Sequence, residues 1–242
     1  VGPESGTRPL DFDFNKGVER LCRKYGALLI FDEVVTGFRI GMAGAQGYYG
    51  VSPDLTIFGK VVAGGYPGAG GLGGKREYMK YLGAGLDGNA KVKKALIGGT
   101  LAATPISCVA GYYTLEEIDK QNACQKAGQM GDRLTAGLQK IIKKYNLPFV
   151  AFNQGSICHL ETVGTMHFSI NWHKLWTIPG VLSATSERKK EMEHMGAAYM
   201  AEGLVTLAGS RLYTSAAYTP ELIDEALSRF DRVFSKIAIK AE

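Results

Sequence analysis

Cysteine is scarce and badly spaced for staples: four in 242 residues, at positions 22, 108, 124 and 158, with no Cys-x-x-Cys pair. That excludes a disulfide framework and the usual structural zinc sites, and makes a reducing cytoplasm the expected compartment. The four histidines, His159, His167, His173 and His194, have no zinc spacing either, and read as ordinary packed or surface residues, with no metal expected. Long apolar runs are missing, which argues against a membrane span, and no signal-peptide pattern is present. A one-sided charge is also lacking. With 28 basic and 23 acidic residues the net charge is +5, with no basic stripe interleaved with aromatics, so nucleic acid is not an expected partner. What the chain does have is 45% apolar and 21% charged residues with 32 glycines, the profile of a packed enzyme-like chain rather than a disordered one.

The patterning is α/β. Phe14, Val18, Leu21, Cys22 and Tyr25 share a helical face that ends at Gly26, where a helix C-terminus favours glycine. Ala27-Leu28-Leu29-Ile30-Phe31 then runs apolar into Asp32-Glu33, and Leu55-Thr56-Ile57-Phe58 runs into Gly59-Lys60 and a glycine-rich loop, 64–74. Both segments predict strands buried on two faces of a parallel sheet, each delivering an ionisable group at its carboxyl end, where ligands of open parallel sheets bind. Weaker strands are expected at 70–74 and 95–98. Beyond Ile106 the period turns helical, with a stripe at Ala123, Ala127, Met130, Leu134, Leu138, Ile141 and Ile142. Short strands are expected at 149–152, 157–163, 166–170, 204–207 and 212–215, with a helix around Met192, Met195 and Tyr199. A last helix has Thr219 as N-cap and Pro220 at its first position. The expected division is 1–145 and 146–242. Two firm parallel strands are too few for an ordinary sheet, and the chain opens on a loop-like Val1-Gly2-Pro3 without Met; the expectation is a larger fold whose remaining strands lie on other polypeptide.

Gly68-x-Gly70-x-x-Gly73 matches the dinucleotide pattern but follows Tyr66-Pro67 rather than a buried strand. The run into Asp32-Glu33 also resembles the magnesium-holding strand of P-loop ATPases, without the phosphate loop that would accompany it. The remaining pair is Asp32 and Lys60. Taken singly, Asp32 could be a helix N-cap and Lys60 a solvated loop lysine. Together, an amine between close-packed glycines, placed to lose water, and a carboxylate at the neighbouring strand end are what pyridoxal phosphate requires: a nucleophile for its aldehyde and a partner for its pyridine nitrogen.

Asp32-Glu33-Val34-Val35-Thr36-Gly37-Phe38-Arg39, Gly44-Ala45-Gln46-Gly47-Tyr48-Tyr49-Gly50-Val51-Ser52-Pro53-Asp54-Leu55, Gly59-Lys60 and Gly98-Gly99-Thr100-Leu101-Ala102-Ala103-Thr104-Pro105 occur in order. This set resembles the class III pyridoxal phosphate aminotransferases, nearest the branch that contains glutamate-1-semialdehyde 2,1-aminomutase. The resemblance runs from about residue 15 to 118 and returns from Tyr213 through Asp224.

It implies a fold-type-I pyridoxal-phosphate-dependent transferase, of which this chain is the C-terminal portion: the end of the large domain with its connecting helices, then the small α/β domain. It also implies that Lys60 forms the Schiff base, Asp32 pairs with the ring nitrogen, Val34 packs on the ring and Thr100 contacts the phosphate of the cofactor in a neighbouring subunit, so that the site needs a dimer. Thr104 stands where the family usually has Asn, Tyr218 where it often has His, and 83–94 looks like an insertion at the active-site mouth. The implied reaction is amino transfer between an amino acid or amine and a keto or aldehyde acceptor. An intramolecular aminomutase or epimerase is the alternative on the same apparatus, and a non-catalytic half-subunit the alternative outside catalysis. The implied partners are polypeptide carrying the N-terminal half of the fold, either a separate chain or the missing part of a longer one, a second copy in a homodimer or a dimer of such pairs, and a small-molecule amino donor and acceptor.

Overall fold

A computed structural model describes residues 11–82, 94–95, 99–100, 102–162, 178–207 and 209–238, with the backbone alone over 178–188. These residues gather into two compact units, one ending at Cys124 and the other starting at Gln125.

In the first unit, helix α1 (Phe14–Tyr25) stops where Gly26 adopts the left-handed φ of +65° and returns its N–H to Cys22 O. Strand β1 (Ile30–Asp32) lies parallel to β2 (Leu55–Phe58), with Asp32 opposite Ile57. Between them runs the short helix α2 (Gly44–Tyr49). Strand β3 (Gly71–Gly74) closes the sheet, order β1-β2-β3, but antiparallel to β2. The weak strand expected at 70–74 therefore exists, and the one expected at 95–98 lies largely outside the described residues. A 3-10 turn (Lys60–Ala63) follows β2, and helices α3 (Arg76–Met79) and α4 (Pro105–Lys120) complete the unit.

The strands are not buried on both faces. Phe31 and Thr56 are buried while Ile30, Asp32 and Ile57 are exposed, so within this chain each strand is covered on one side only. Helix α1 departs from expectation in the same way: Val18 and Cys22 pack on Leu29, Phe31, Ala45, Tyr49 and Val51, whereas Phe14, Leu21 and Tyr25 are exposed. A buried node ties these pieces together. Asp54, 2% exposed, accepts the Leu29 N–H at 2.8 Å, Arg23 Nη1 of α1 at 2.6 Å and Lys75 Nζ at 2.6 Å.

The second unit holds the larger core. Helix α5 (Ala123–Lys144) buries Ala127, Leu134, Leu138 and Ile141 of the expected stripe. It packs on an antiparallel sheet of β4 (Val150–Gln154), β5 (Ile157–Glu161) and β6 (Arg211–Tyr213) with β5 in the middle, every residue of which is buried. Helix α6 (Ile178–Ala201) brings Tyr199, and α7 (Pro220–Ala238) brings Ile223, Phe230, Val233 and Phe234 into the same cluster. Each such side chain contributes on the order of 1.5–3 kcal/mol by leaving water. Thr219 caps α7 as expected, its hydroxyl oxygen accepting the Leu222 N–H at 3.3 Å. The segment 204–207 makes one bridge, Leu207 to Arg211, instead of a strand, and 166–170 lies outside the described residues.

His159, at the centre of β5, is 3% exposed and stacks on Phe152 with ring centroids 4.8 Å apart. Burial, aided by the positive charge of Arg211, pushes its pKa down to about 4 from 6.5. The folded imidazole stays neutral while the unfolded one protonates, so its contribution is whole above pH 6.5 and is lost as pH falls toward 4. The loss should reach on the order of 3 kcal/mol. Urea midpoints measured from pH 7.5 to 5 should decline in the parent and flatten in a His159→Gln variant; parallel slopes would exclude His159 as the source.

Candidate functional site

Parallel pairing sets the geometry. Because Asp32 stands opposite Ile57, the carboxyl ends of β1 and β2 lie side by side, and Glu33 N–H continues the ladder onto Ile57 O at 2.8 Å. Lys60 follows β2 by two residues and opens the 3-10 turn with φ at +53°. A residue with a Cβ populates that region only at a cost of roughly 1–3 kcal/mol, and such strain concentrates at functional positions. Val34 leans onto the same point: a Cβ on Gly59 would sit 3.1 Å from Val34 Cγ1. Asp32 is not a helix N-cap, since no helix follows it; its Oδ1 accepts the Val34 N–H at 3.0 Å in a tight turn.

A cleft of about 530 Å³ opens beside Lys60, lined among others by Val34, Phe38, Arg39 and Tyr66. Among the described residues that line it are two cations and no carboxylate, so it suits an anionic ligand with an apolar body. Lys60 is exposed in this chain, contrary to the expectation of a lysine withdrawn from water. Asp32 and Thr100 are also exposed and neither lines the cleft. The structure thus brings Val34 and Lys60 together, sets Asp32 at the adjacent strand end, and leaves Thr100 apart.

The backbone at Lys60 is clamped from behind by α4. Gly64 lies at φ +60° and a Cβ there would collide with the Ala110 carbonyl, while one at Gly111 would collide with Val62 O. The following glycine-rich loop is tied to the start of α4, where Ser107 Oγ donates to Pro67 O at 2.6 Å and Thr104 N–H to Gly68 O at 3.1 Å. That loop is neither a dinucleotide phosphate cradle nor the opening of a helix: it leads into β3. Phe38, Arg39 and Tyr66 were not among the expected site residues. The first two sit inside the quoted Asp32–Arg39 segment, and their proximity to Lys60 comes from a chain reversal that carries no spacing signal.

The site is thus an amine and a carboxylate at neighbouring carboxyl ends of parallel strands, with a glycine-rich turn behind the amine. The family described as Aminotransferase class-III matches residues 1–234, and the chain belongs to that family. A glutamate-1-semialdehyde 2,1-aminomutase from Legionella pneumophila (strain Paris) is 43% identical over 145 residues, 60% of this chain and 32% of that protein. Among solved structures, an omega-transaminase from Sphaerobacter thermophilus superposes with a TM-score of 0.74 at 22% identity, covering 94% of this chain and 48% of the other. A transaminase with PLP bound also gives 0.74, at 20% identity, covering 96% and 50%. The fold is theirs, and this chain spans about half their length. Among the described residues no helix is long and apolar enough to cross a membrane, and no group of His, Cys, Asp and Glu is arranged to hold a metal.

Proposed function

We propose that this chain supplies the lysine and the carboxylate of a pyridoxal phosphate site that moves amino groups between an amino acid or amine and a keto or aldehyde acceptor. The observation that carries it is the register of β1 and β2, which sets Asp32 and Lys60 at the same end of one sheet beside a cationic, partly apolar cleft. Family membership and the PLP-bound structural relative support the choice of cofactor. The donor set fits it: an amine, a carboxylate and an apolar side chain for a ring face.

Pyridoxal phosphate, when bound, supplies an aldehyde that condenses with amines and a ring that takes up the electron pair left by a departing α-proton. Lys60 Nζ would be the amine that meets that aldehyde, and the base that takes the proton from the substrate α-carbon and returns it. Asp32 has one oxygen engaged with the Val34 N–H and offers Oδ2 to keep a proton on the ring nitrogen. Val34, braced by Gly59, packs on the ring face. Thr100 serves the phosphate of a neighbouring subunit, which makes the working unit a dimer. The rest of the fold comes from polypeptide equivalent to the half of the solved transaminases that this chain does not span.

An aminomutase is the second reading, supported by the Legionella relative. It uses the same residues and differs in retaining the keto intermediate until the amino group returns at the adjacent carbon.

The assembled protein, incubated with pyridoxal phosphate, should gain a visible absorption band that borohydride bleaches, and peptide mapping should find the reduced adduct on Lys60. No band, or an adduct confined to another lysine, would overturn the proposal.

A further inference from the structure

Glu33 is 1% exposed, and no cation among the described residues pairs with it. Its carboxylate is met by dipoles instead: Oε2 accepts the Thr36 hydroxyl at 2.6 Å and the Ala45 N–H at 2.8 Å, and Oε1 accepts the Gln46 N–H at 2.9 Å. A leucine or methionine would fill similar space without the desolvation cost that an unpaired buried carboxylate incurs. A group so expensive to bury is best understood by what it holds in place.

What it holds is the segment facing Lys60. We propose that Glu33 is the positioning residue of the site: from inside the fold it pins both ends of the Val34–Gly44 segment, and so fixes how Asp32, Val34 and Phe38 meet the cofactor. At the near end, Glu33 O accepts the Gly37 N–H at 2.9 Å while Thr36, fully buried, turns inward to the carboxylate. At the far end, Gly44 adopts φ +58° with its α-carbon so near that a Cβ would lie 2.5 Å from Oε2. Between these anchors, Phe38 rests on Phe58 of β2, ring centroids 5.7 Å apart, and Val34 rests on Gly59. Glu33 touches none of the reacting groups. It fixes the wall they work against, and Asp32, its chain neighbour, takes its turn geometry from the same stretch.

This inference rests on the proposed function, and the test separates the two. In the assembled protein, Glu33→Gln keeps the shape but turns an NH2 toward N–H donors that need an acceptor. Pyridoxal phosphate affinity, measured by equilibrium dialysis well below every melting temperature, should weaken by about 10–100-fold, the loss typical when an outer support of a bound group is removed. Thr36→Val, which withdraws one of three donors, should weaken it by several-fold and serves if Glu33→Gln does not fold. Asp54→Asn is the structural control: it should lower the melting temperature at least as far and leave the affinity within about twofold, as expected for a site with no shared partners. Unchanged affinity in Glu33→Gln, or in Thr36→Val where that variant stands in, overturns the positioning role alone. Failure of the parent protein to bind pyridoxal phosphate overturns the proposed function and this inference with it.

Discussion

Lys60→Ala is expected to abolish turnover and the borohydride-reducible adduct together, while leaving the fold intact. The two roles proposed for Lys60 are duplicated by no other described residue lining the cleft: Arg39 is the one other cation among them, and a guanidinium cannot serve as a nucleophile. Proton transfer alone is typically worth ~10²–10⁴-fold in rate, and loss of the covalent step comes on top of it. The exposed position of Lys60 makes a large stability change unexpected. Alanine still carries a Cβ at φ +53°, so the backbone penalty persists; Lys60→Gly would be equally inactive yet more stable. Initial rates with saturating amino donor, read beside a thermal melt, check all of this. Activity within about a hundredfold of the parent would reassign the nucleophile.

The second large effect is structural. Asp54→Asn should destabilise the first unit by about 3 kcal/mol, the low end of the cost of breaking a buried pair, because Arg23 and Lys75 keep some two-fifths of their side chains in water and screening trims their share. The Leu29 N–H and both cations hold the Asp54 carboxyl well below its ordinary 3.8, outweighing the effect of burial. A depressed carboxylate stabilises the fold fully above that ordinary value and loses its contribution as pH falls below it. Denaturant unfolding followed at pH 7 and pH 3 should therefore show a wide gap between parent and variant at the higher pH and a narrowed one at the lower. An equal gap at both would remove the charge from the explanation.

Much of this was legible in the residues. Apolar runs ending abruptly in Asp32 and in Gly59-Lys60 mark strand ends because a strand buried on its inner face cannot continue into solvated charge without leaving the sheet. Helix α7 was legible for a similar reason, since Thr219 and Pro220 specify its start chemically. The misreadings have physical causes too. Burial on two faces was inferred from unbroken apolar sequence, yet Ile30 and Ile57 are exposed here, because such a run reports what a face is built to meet and not whether this chain supplies it. The direction of β3 was invisible: Gly71-Leu72-Gly73-Gly74 offers one side chain, and no periodicity can be read from one. Asp54 stands in the quoted motif, but the two cations that make it a node come from positions 31 residues before and 21 after it, and pairing at that range leaves no local trace.

The clamp behind Lys60 bears on how the specificity of this protein can be altered. Variant libraries aimed at the cleft have freedom at Tyr66, which lines it with half of its surface exposed. At Gly64 and Gly111 they have none. A single added methyl group at either would meet main-chain atoms, which cannot rotate aside as a side chain can, and would push helix α4 off the turn that holds the lysine. Selection for a broader substrate range should therefore recover these two glycines unchanged, however deeply the front of the cleft is randomised.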